Sequence, residues 1–332
     1  MADWYWYEKL KGGGLRLLRV FGTSPEVVIP KEILGQPVVE LGAYCFAKGS
    51  HATVYETASE ESSGKEAGKE LEKLLLQERV RELSGKYIQK IEMPETVQAL
   101  GNFCFYQCTA LREIVIGRHL TEIGSDAFMN CLKLKKITVN GSVTEPSGLK
   151  QILEQRSLET EVDFIHQGRK EAVLVYPEYS ETYEEIGPAH IFTLNIEGEG
   201  FRARQCFRNG IVDLTGYDAV FLQAVAKESV RTLCHMAWMR LYYPEGLREE
   251  SRNVYEDYLR EQEETAGALL VQEKNLDLLY FAGENAYFSE KTMDICTRLA
   301  AQANWTEGAG MLLQNKKRWF GRKKEEYSFD GF

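Results

Sequence analysis

The seven cysteines and five histidines are the residues of this chain best suited to nucleophilic catalysis or metal binding. Nucleophilic catalysis needs a cysteine or serine close to a base, and the one adjacent cysteine–histidine pair is Cys234-His235. Successive residues on a helix do not face each other, so these two side chains cannot form a catalytic pair with one another. The histidines show no metal-ligand spacing and lie at His51, His119, His166, His190 and His235.

Short catalytic and nucleotide-binding motifs are also missing from the sequence. It contains no G-x-S-x-G elbow, no H-E-x-x-H pair, no Walker loop and no G-x-G-x-x-G turn. We therefore predict that the protein is not an enzyme and has no catalytic residue, metal site or cofactor. The alternative is a cryptic enzyme whose reactive groups come together from distant positions.

The composition limits the classes of partner. With 40 Lys+Arg against 50 Asp+Glu, the formal net charge is -10, which disfavours non-specific binding to nucleic acid or acidic lipid. The basic run Lys316–Lys324 is expected to be a solvated tail, although RNA or an anionic membrane is an alternative ligand. No apolar run has the roughly 20 residues of a membrane helix, and Met1–Tyr7 lacks signal-peptide character. We expect a cytoplasmic protein with reduced thiols and keep an extracellular location as the alternative.

The first half of the chain contains an internal repeat with a period of 23 residues. Equivalent pairs 23 positions apart recur in one register, and an earlier copy occupies 26–49. The distance between that copy and the next exceeds the period by the length of Ser50–Gly85, which we interpret as an insertion. The repeated positions are Ile91, Ile114 and Ile137; Gly101 and Gly124; Phe105 and Phe128; Cys108 and Cys131; Leu111 and Leu134.

A repeat of this length predicts short strands joined by returning arcs, stacked so that equivalent side chains share one core. Phe46, Phe105 and Phe128 should then form a single column. Glycine after Leu or Ile suits a turn that requires positive φ or close backbone approach. We assign Cys104, Cys108 and Cys131 a structural role rather than a zinc site, because each already occupies a repeated position.

Strand alternation predicts two rows of outward-facing side chains. One row alternates in charge through Glu26, Lys90, Glu113 and Lys136, and the other is Val28, Glu92, Val115 and Thr138. Two interpretations remain open: a ladder that fixes the register of the strands, or a face that recognises a protein partner. The candidate interaction face consists of Val28, Lys90, Glu92, Glu113, Val115, Lys136 and Thr138.

The pattern I-x-I/M-P, followed by V/L-x-x-I/L-G-x-x-A/C-F-x-x-C-x-x-L, resembles the BspA-like leucine-rich repeats of bacteria. It is carried by residues 27–46 and 91–139, and the resemblance covers roughly the first 145 residues. The resemblance implies a right-handed curved solenoid that binds proteins or surfaces, and it implies no enzymatic residues. The second half resembles a module of no established activity that accompanies such repeats in some Gram-positive anaerobes, through residues 205–207, 210–214, 217–218 and 312–321.

Segments outside the repeats have their own patterns. The aromatic cluster Trp4–Tyr7 favours a hairpin that covers the open end of the stack, with sugar stacking as the alternative. Residues 69–83 fit a short amphipathic helix that packs on the stack or captures a partner. Gly198-Glu199-Gly200 predicts a hairpin between 190–196 and 201–207, and helices are expected over 148–157, 217–241, 249–264, 267–281, 289–303 and 306–319.

We therefore predict an α+β multidomain protein that acts as a protein–protein interaction scaffold of unknown exact role, with a cell-surface or secreted adhesin as the alternative. The expected domains are a leucine-rich-repeat β-solenoid of about three 23-residue repeats over 1–145 with the insertion at 50–85, a mixed α/β connector with a hairpin over 146–215, an ankyrin- or HEAT-like helical-hairpin array over 216–321, and a tail over 322–332.

Overall fold

A computed structural model of the chain describes residues 3–49, 55–59, 62–187 and 190–321. The chain divides into two units, Met1–Val220 and Phe221–Phe332, which are described separately below. The basic run beyond Gly321, the predicted tail at 322–332 and His51 lie outside the described residues, as does part of the predicted insertion. The fold is α+β, with mixed sheets and ten helices within the described residues.

The strands of the first unit are short, as expected for coils that turn back after one crossing. Their bounds are β1 (Trp4–Lys9), β2 (Leu15–Gly22), β3 (Glu26–Val28), β4 (Glu32–Ile33), β5 (Gln36–Leu41), β6 (Glu56–Ser59), β7 (Arg81–Glu82), β8 (Lys90–Glu92), β9 (Ala99–Leu100), β10 (Glu113–Gly117), β11 (Glu122–Ile123), β12 (Lys136–Asn140), β13 (Thr160–His166), β14 (Arg169–Tyr176), β15 (Ser180–Ile186), β16 (Ile191–Glu197), β17 (Phe207–Arg208) and β18 (Ile211–Val212).

The first helix lies in the predicted insertion, and after residue 213 the helices of the described residues follow one another with no strand between them. Their bounds are α1 (Gly64–Leu76), α2 (Leu149–Glu154), α3 (Gly200–Arg204), α4 (Leu214–Ala224), α5 (Val230–Tyr242), α6 (Glu249–Glu261), α7 (Glu263–Gln272), α8 (Leu276–Glu284), α9 (Glu290–Gln302) and α10 (Thr306–Phe320), with one 3-10 turn at Gly85–Tyr87.

A six-stranded sheet carries the repeat. Its order is β14-β13-β12-β10-β8-β3, and every pair is parallel except β13 with β14. The inward side chains of neighbouring coils, Ile91, Ile114 and Ile137, lie directly beside one another and are buried. Because β13 pairs in parallel with β12, the sheet continues past the predicted boundary at 145/146 as far as Tyr176.

The opposite side of the coils forms a second, eight-stranded sheet. Its main path is β11-β9-β5-β2-β1-β6, with β4 on β5 and β7 on β2. The predicted N-terminal hairpin is present as β1 and β2, and β2 pairs in parallel with β5 of the first coil. The predicted amphipathic helix is α1, which begins and ends earlier than expected. Packing is its observed role: it shares a core cluster with the hairpin, made of Trp4, Phe21, Ala67, Leu71 and Val80.

The predicted hairpin around Gly198-Glu199-Gly200 was wrong. Residues 191–197 form β16, but its antiparallel partner is the preceding strand β15, and Gly200–Arg204 is helical. A Cβ on Gly200 would come 2.1 Å from the carbonyl oxygen of Pro177, so this glycine is required by close backbone approach rather than by a two-residue turn. The turn signal was genuine, but it marked the start of a helix.

Two predicted helices of the second half are each split. The span 217–241 divides into α4 and α5, and 267–281 divides into α7 and α8. The second break lies at Lys274, whose φ is +49, followed by Asn275, whose side chain accepts a hydrogen bond from the amide of Leu278. A left-handed residue ends one helix and an Asn N-cap starts the next, so periodicity of the apolar residues alone missed the break.

Three helices of the second unit, α7, α8 and α9, end in the same way. Lys274, Ala286 and Asn304 all have positive φ, and the amide after each donates to a carbonyl five residues back, which is a Schellman motif. The Ser289 side chain caps α9 by accepting a hydrogen bond from the amide of Thr292. Asn304 supplies the left-handed residue that ends α9, and Trp305 is the N-cap of α10.

Candidate interaction face

The name repeat stack is used here for residues 26–49 and 85–140. Its predicted aromatic column is confirmed: Phe46 and Phe105 have ring centroids 5.2 Å apart, and Phe105 and Phe128 are 5.1 Å apart, all nearly parallel. Backbone hydrogen bonds join the same coils beside the rings: Phe46 N donates to Cys104 O and Phe105 N donates to Ala127 O, both at 2.8 Å. The insertion therefore leaves the first coil directly beside the second.

The recurring glycines are explained by close approach rather than by positive φ. A Cβ on Gly101 would lie 2.3 Å from the backbone nitrogen of Ala43, and one on Gly124 would lie 2.4 Å from that of Asn102. The left-handed residues come two positions later, at Tyr44, Phe103 and Asp126, with φ of 58, 56 and 54. Sequence reasoning missed these positions, because the side chains there share no type that signals a left-handed residue.

The buried thiols have the predicted structural role. The Sγ of Cys108 donates to Phe46 O at 3.4 Å, and the Sγ of Cys131 donates to Phe105 O at 3.1 Å, so each coil is tied to the one before it. Burial raises the pKa of Cys131 to about 11 and that of Cys234 to about 12. At neutral pH these thiols are protonated, and a protonated thiol is a poor nucleophile and metal ligand.

Two buried arginines, which sequence reasoning missed, satisfy carbonyls at the ends of the repeat stack. Arg19 donates to Tyr44 O at 2.7 Å, Ala47 O at 2.6 Å and also Cys45 O and Gly49 O, in the turn of the first coil. Arg156 donates to Cys131 O at 3.1 Å and to Leu134 O in the last coil. Burial lowers the pKa of Arg156 to about 10, yet the group stays charged at neutral pH.

The two predicted rows of outward side chains are present in the predicted register. Glu26 pairs with Lys90, Lys90 with Glu113, and Glu113 with Lys136; Val28, Glu92, Val115 and Thr138 form the second row in the same way. Strand β13 adds one residue to each row, Glu161 to the first and Asp163 to the second. The candidate face therefore spans five parallel strands.

Ion pairs join two of the neighbouring pairs in the charged row, Lys90 with Glu113 and Lys136 with Glu161. Lys90 Nζ lies 3.2 Å from a carboxylate oxygen of Glu113, and Lys136 Nζ lies 3.2 Å from Glu161 and 3.0 Å from Asp163. Burial on its own would lower the pKa of Lys136, but the charges of Asp163 and Glu161 outweigh it and hold the pKa above its ordinary value. This row therefore supports register between coils, the first of the two interpretations.

The second row differs from the expectation of a uniformly exposed surface. Val28 is 60% exposed and Glu92 is exposed, but Thr138 is half-buried and Val115 is only 7% exposed. Val115 lies on a central strand, between Glu92 and Thr138 on the neighbouring strands, whereas Val28 lies on β3 at the end of the sheet. The accessible apolar area of the face is thus concentrated at its β3 end.

Within the described residues, no group of three His, Cys, Asp or Glu side chains has a metal-binding arrangement. Nor does any helix in that part of the chain combine the length and apolar character that crossing a bilayer requires.

Comparisons with known families and solved structures find the following similarities. Residues 81–149 match the family described as BspA type Leucine rich repeat region (6 copies). A leucine-rich repeat protein of T. pallidum is 20% identical, with 41% of this chain and 51% of that chain covered and a TM-score of 0.27. A leucine-rich cell surface protein of Faecalibacterium prausnitzii A2-165 is 17% identical, with 50% and 38% covered and a TM-score of 0.25.

The chain thus spans about half the length of the first of these proteins and less of the second. A search of curated proteins finds no match. The match at 81–149 includes the second and third coils of the column, whose Phe, Cys and Gly positions recur with the period of 23 residues. Residues 81–149 are therefore similar to the BspA-type leucine-rich repeat family.

Proposed function

We propose that the protein is a non-catalytic protein-binding scaffold and that the outward face of β3, β8, β10 and β12 binds a partner protein. The contact residues are Val28, Glu92 and Thr138 in one row and Lys90, Glu113 and Lys136 in the other. Leucine-rich repeat proteins commonly act in protein–protein interaction, which is the coarser basis for the proposal. Stacked repeats also present extended surfaces suited to such binding.

One observation carries the proposal: the strands of the face are in parallel register, with equivalent residues side by side. Neighbouring strands lie about 4.8 Å apart, so the face offers a regular array of side chains that a partner can follow from coil to coil. Its ion pairs are partly exposed at Lys90 and Glu113, where they influence the selectivity and rate of association more than affinity. Affinity should therefore come mainly from the region around Val28.

The test is affinity capture with mass spectrometry from native lysate, with and without cross-linker. A Val28→Glu variant should lose the captured partner, whereas Leu222→Glu, at an equally exposed leucine in α4, should retain it. The two variants carry the same chemical change at different surfaces, so the comparison separates the face from net charge. Failure to capture any protein above background with cross-linker, or equal loss in both variants, contradicts the proposal.

For the architecture, we propose that the repeat stack is a solenoid and that the helices after residue 216 form an array of helical hairpins of the ankyrin or HEAT kind. In support, helices of the second unit contact both their chain neighbour and the helix two further along, as in α5 with α7, α7 with α9 and α8 with α10. Limited proteolysis should cleave near 215 if the helical array is a separate domain, whereas residues near 145 should be protected because the sheet continues from β12 to β13. Protection near 215 contradicts a separate helical domain.

A cell-surface role is the second candidate, because leucine-rich repeat proteins include cell-surface proteins as well as interaction modules. The buried S–H donors of Cys108 and Cys131 suit a reducing compartment, so we still expect the cytoplasm. Cell fractionation with protease protection distinguishes the two: digestion of the protein in intact cells would establish the surface location.

A further inference from the structure

The two-stranded sheet of β15 and β16, called the ribbon here, has a composition unlike the rest of the first unit. Its register pairs Glu181 with Ile196, Tyr183 with Leu194 and Glu185 with Phe192. Because side chains alternate along a strand, these six residues share one face. The opposite face carries Ser180, Thr182, Glu184, Thr193, Asn195 and Glu197 and is polar except at its loop end, where Ile191 is exposed.

The first of these faces is apolar and open to solvent. Tyr183 is 68% exposed and Phe192 is 63% exposed, and Leu194 is exposed beside them. Three exposed large apolar side chains on one small surface are a feature of interaction sites, whereas single exposed ones are ordinary.

The ribbon also lacks other strands to support it. Among the strands that the structure describes, β15 and β16 pair only with each other. A two-stranded hairpin is at best marginally stable in water unless a further strand or helix packs on it. The outer edge of β15 therefore presents backbone groups to which an additional strand can pair.

The charge of the ribbon selects the kind of segment that fits. From Glu178 to Glu197 there are five glutamates and no lysine or arginine, and His190 contacts Glu185 through its Nδ1. Two of them, Glu181 and Glu185, lie on the apolar face on either side of Tyr183, two residues away in each direction. A strand added beside β15 would place its own side chains opposite these three residues.

We propose that the ribbon is a docking site for an extended basic segment of a partner protein, with an apolar residue flanked two positions away on each side by lysine or arginine. The segment pairs with the edge of β15 and places its basic side chains opposite Glu181 and Glu185 and its apolar side chain beside Tyr183. This site goes beyond the function proposed above and does not depend on the sheet face that contains Val28.

The probe is a fluorescently labelled synthetic peptide of threonines with a central valine and a lysine two positions away on each side. Its matched control has glutamate in place of both lysines. Titration of the full chain, followed by fluorescence anisotropy, should show at least tenfold tighter binding of the lysine peptide, weakening as salt is raised. Equal affinity for the two peptides, or no binding of the lysine peptide at millimolar chain concentration, overturns the proposal.

Paired variants then test the face. E181K with E185K should weaken binding at least tenfold, whereas E184K with E197K makes the same charge change on the opposite face and should weaken it less than threefold. Equal effects would show that net charge alone attracts the peptide, which overturns the assigned geometry. Y183S should also weaken binding at least tenfold, and all variants should retain the circular dichroism and melting temperature of the unaltered chain because the substituted side chains are not buried.

Sedimentation of the full chain tests a second copy as the occupant. A monomer at the concentrations of the titration supports a separate partner, whereas a dimer that disappears in F192S would assign the ribbon to self-association and overturn the proposal. Partner capture and peptide binding are both measured in each variant. The ribbon variants should lose peptide binding but still capture the partner, and Val28→Glu should do the reverse. Failure of one assay then leaves the proposal tested by the other assay intact.

Discussion

Glycines in the repeat stack and in the helical unit both stand close to neighbours, but the atoms they approach differ. Gly101 lies against the backbone nitrogen of Ala43, at 2.3 Å from where its Cβ would be. Gly267 in α7 instead lies against the Sγ of Cys296 in α9, at 2.5 Å. Contact with the backbone of the preceding coil requires glycine at the same position of each coil, so these glycines recur with the period of the repeat. Contact with one particular side chain requires glycine at a single position, so it leaves no periodic pattern in the sequence.

The largest expected effect comes from the aromatic column. Phe105→Ala removes a ring that stacks on both Phe46 and Phe128, and we expect it to lower the free energy of unfolding by about 3–5 kcal/mol. Phe105→Leu, which keeps most of the volume, should cost less than about 1.5 kcal/mol. Urea denaturation followed by circular dichroism gives both values, and equal losses in the two variants would contradict a tightly packed column.

Glycine substitutions test the difference between the units directly. Gly101→Ala should lower the free energy of unfolding by about 3 kcal/mol, and Ala43→Gly should not rescue it because the clash is with backbone.

Gly267→Ala should also lower the free energy of unfolding, but adding Cys296→Ala should restore part of the loss. Gly310 in α10 has nothing within 4 Å of its Cβ position, so Gly310→Ala should stabilise by about 0.5–1 kcal/mol and serves as the control. Rescue of Gly101→Ala by Ala43→Gly would contradict the comparison.

Alkaline pH should destabilise the repeat stack through its thiols. Burial raises the pKa of Cys131 from 9.0 to about 11, so between these values the unfolded chain loses a proton that the folded chain keeps. The stabilising contribution is complete below pH 9 and is lost as pH rises towards 11, at up to about 1.4 kcal/mol per pH unit. Urea denaturation at pH 8 and pH 10 should show a smaller difference in Cys131→Ala than in the unaltered chain.

Loss of a helix cap should have a smaller effect, confined to the helical unit. Asn275→Ala removes the side chain that accepts from the amide of Leu278, at an expected cost of about 1 kcal/mol. Asn275→Ser, which can still cap, should cost clearly less. Hydrogen exchange at the first turn of α8 measures the change, and an effect spread evenly over the repeat stack would contradict the local nature of this contact.

The smallest expected effect concerns the charged row of the face. The Lys90–Glu113 pair is about one-third exposed at each side chain, so solvent screens it and its coupling should be about 0.2–1 kcal/mol. A double-mutant cycle with Lys90→Met and Glu113→Gln, measured at low and high salt, gives the coupling. A coupling near zero at both salt concentrations would remove the evidence that this row supports register.

Much of the repeat stack was predictable from the sequence because each coil repeats the same contacts. The positions of Phe46, Phe105 and Phe128 and both outward rows follow from the period of 23 residues and the alternation of a strand. The buried state of Val115 was not predictable in this way, since it depends on neighbours across the sheet. The role of the face in binding stays a prediction.

Contacts between distant segments account for what sequence reasoning missed. Arg19 finds its carbonyl partners about 25 residues away, and nothing in its local sequence marks it as buried. β16 pairs with β15 rather than with the segment after it, where Gly200 closely approaches the carbonyl oxygen of Pro177. Lys274 ends a helix with positive φ, although lysine gives no local signal for that conformation.

The junction between the first and second coils has a practical consequence. Phe46 stacks on Phe105, and Gly85 N donates to Phe46 O at 2.8 Å, although 36 extra residues separate the two coils along the chain. Lateral pairing rather than the covalent connection therefore sets how these coils align, and lengthening a loop costs only about 0.6 kcal/mol per doubling. The site should accept a grafted peptide tag or fluorescent reporter, and separately expressed halves cut there should reassemble by complementation.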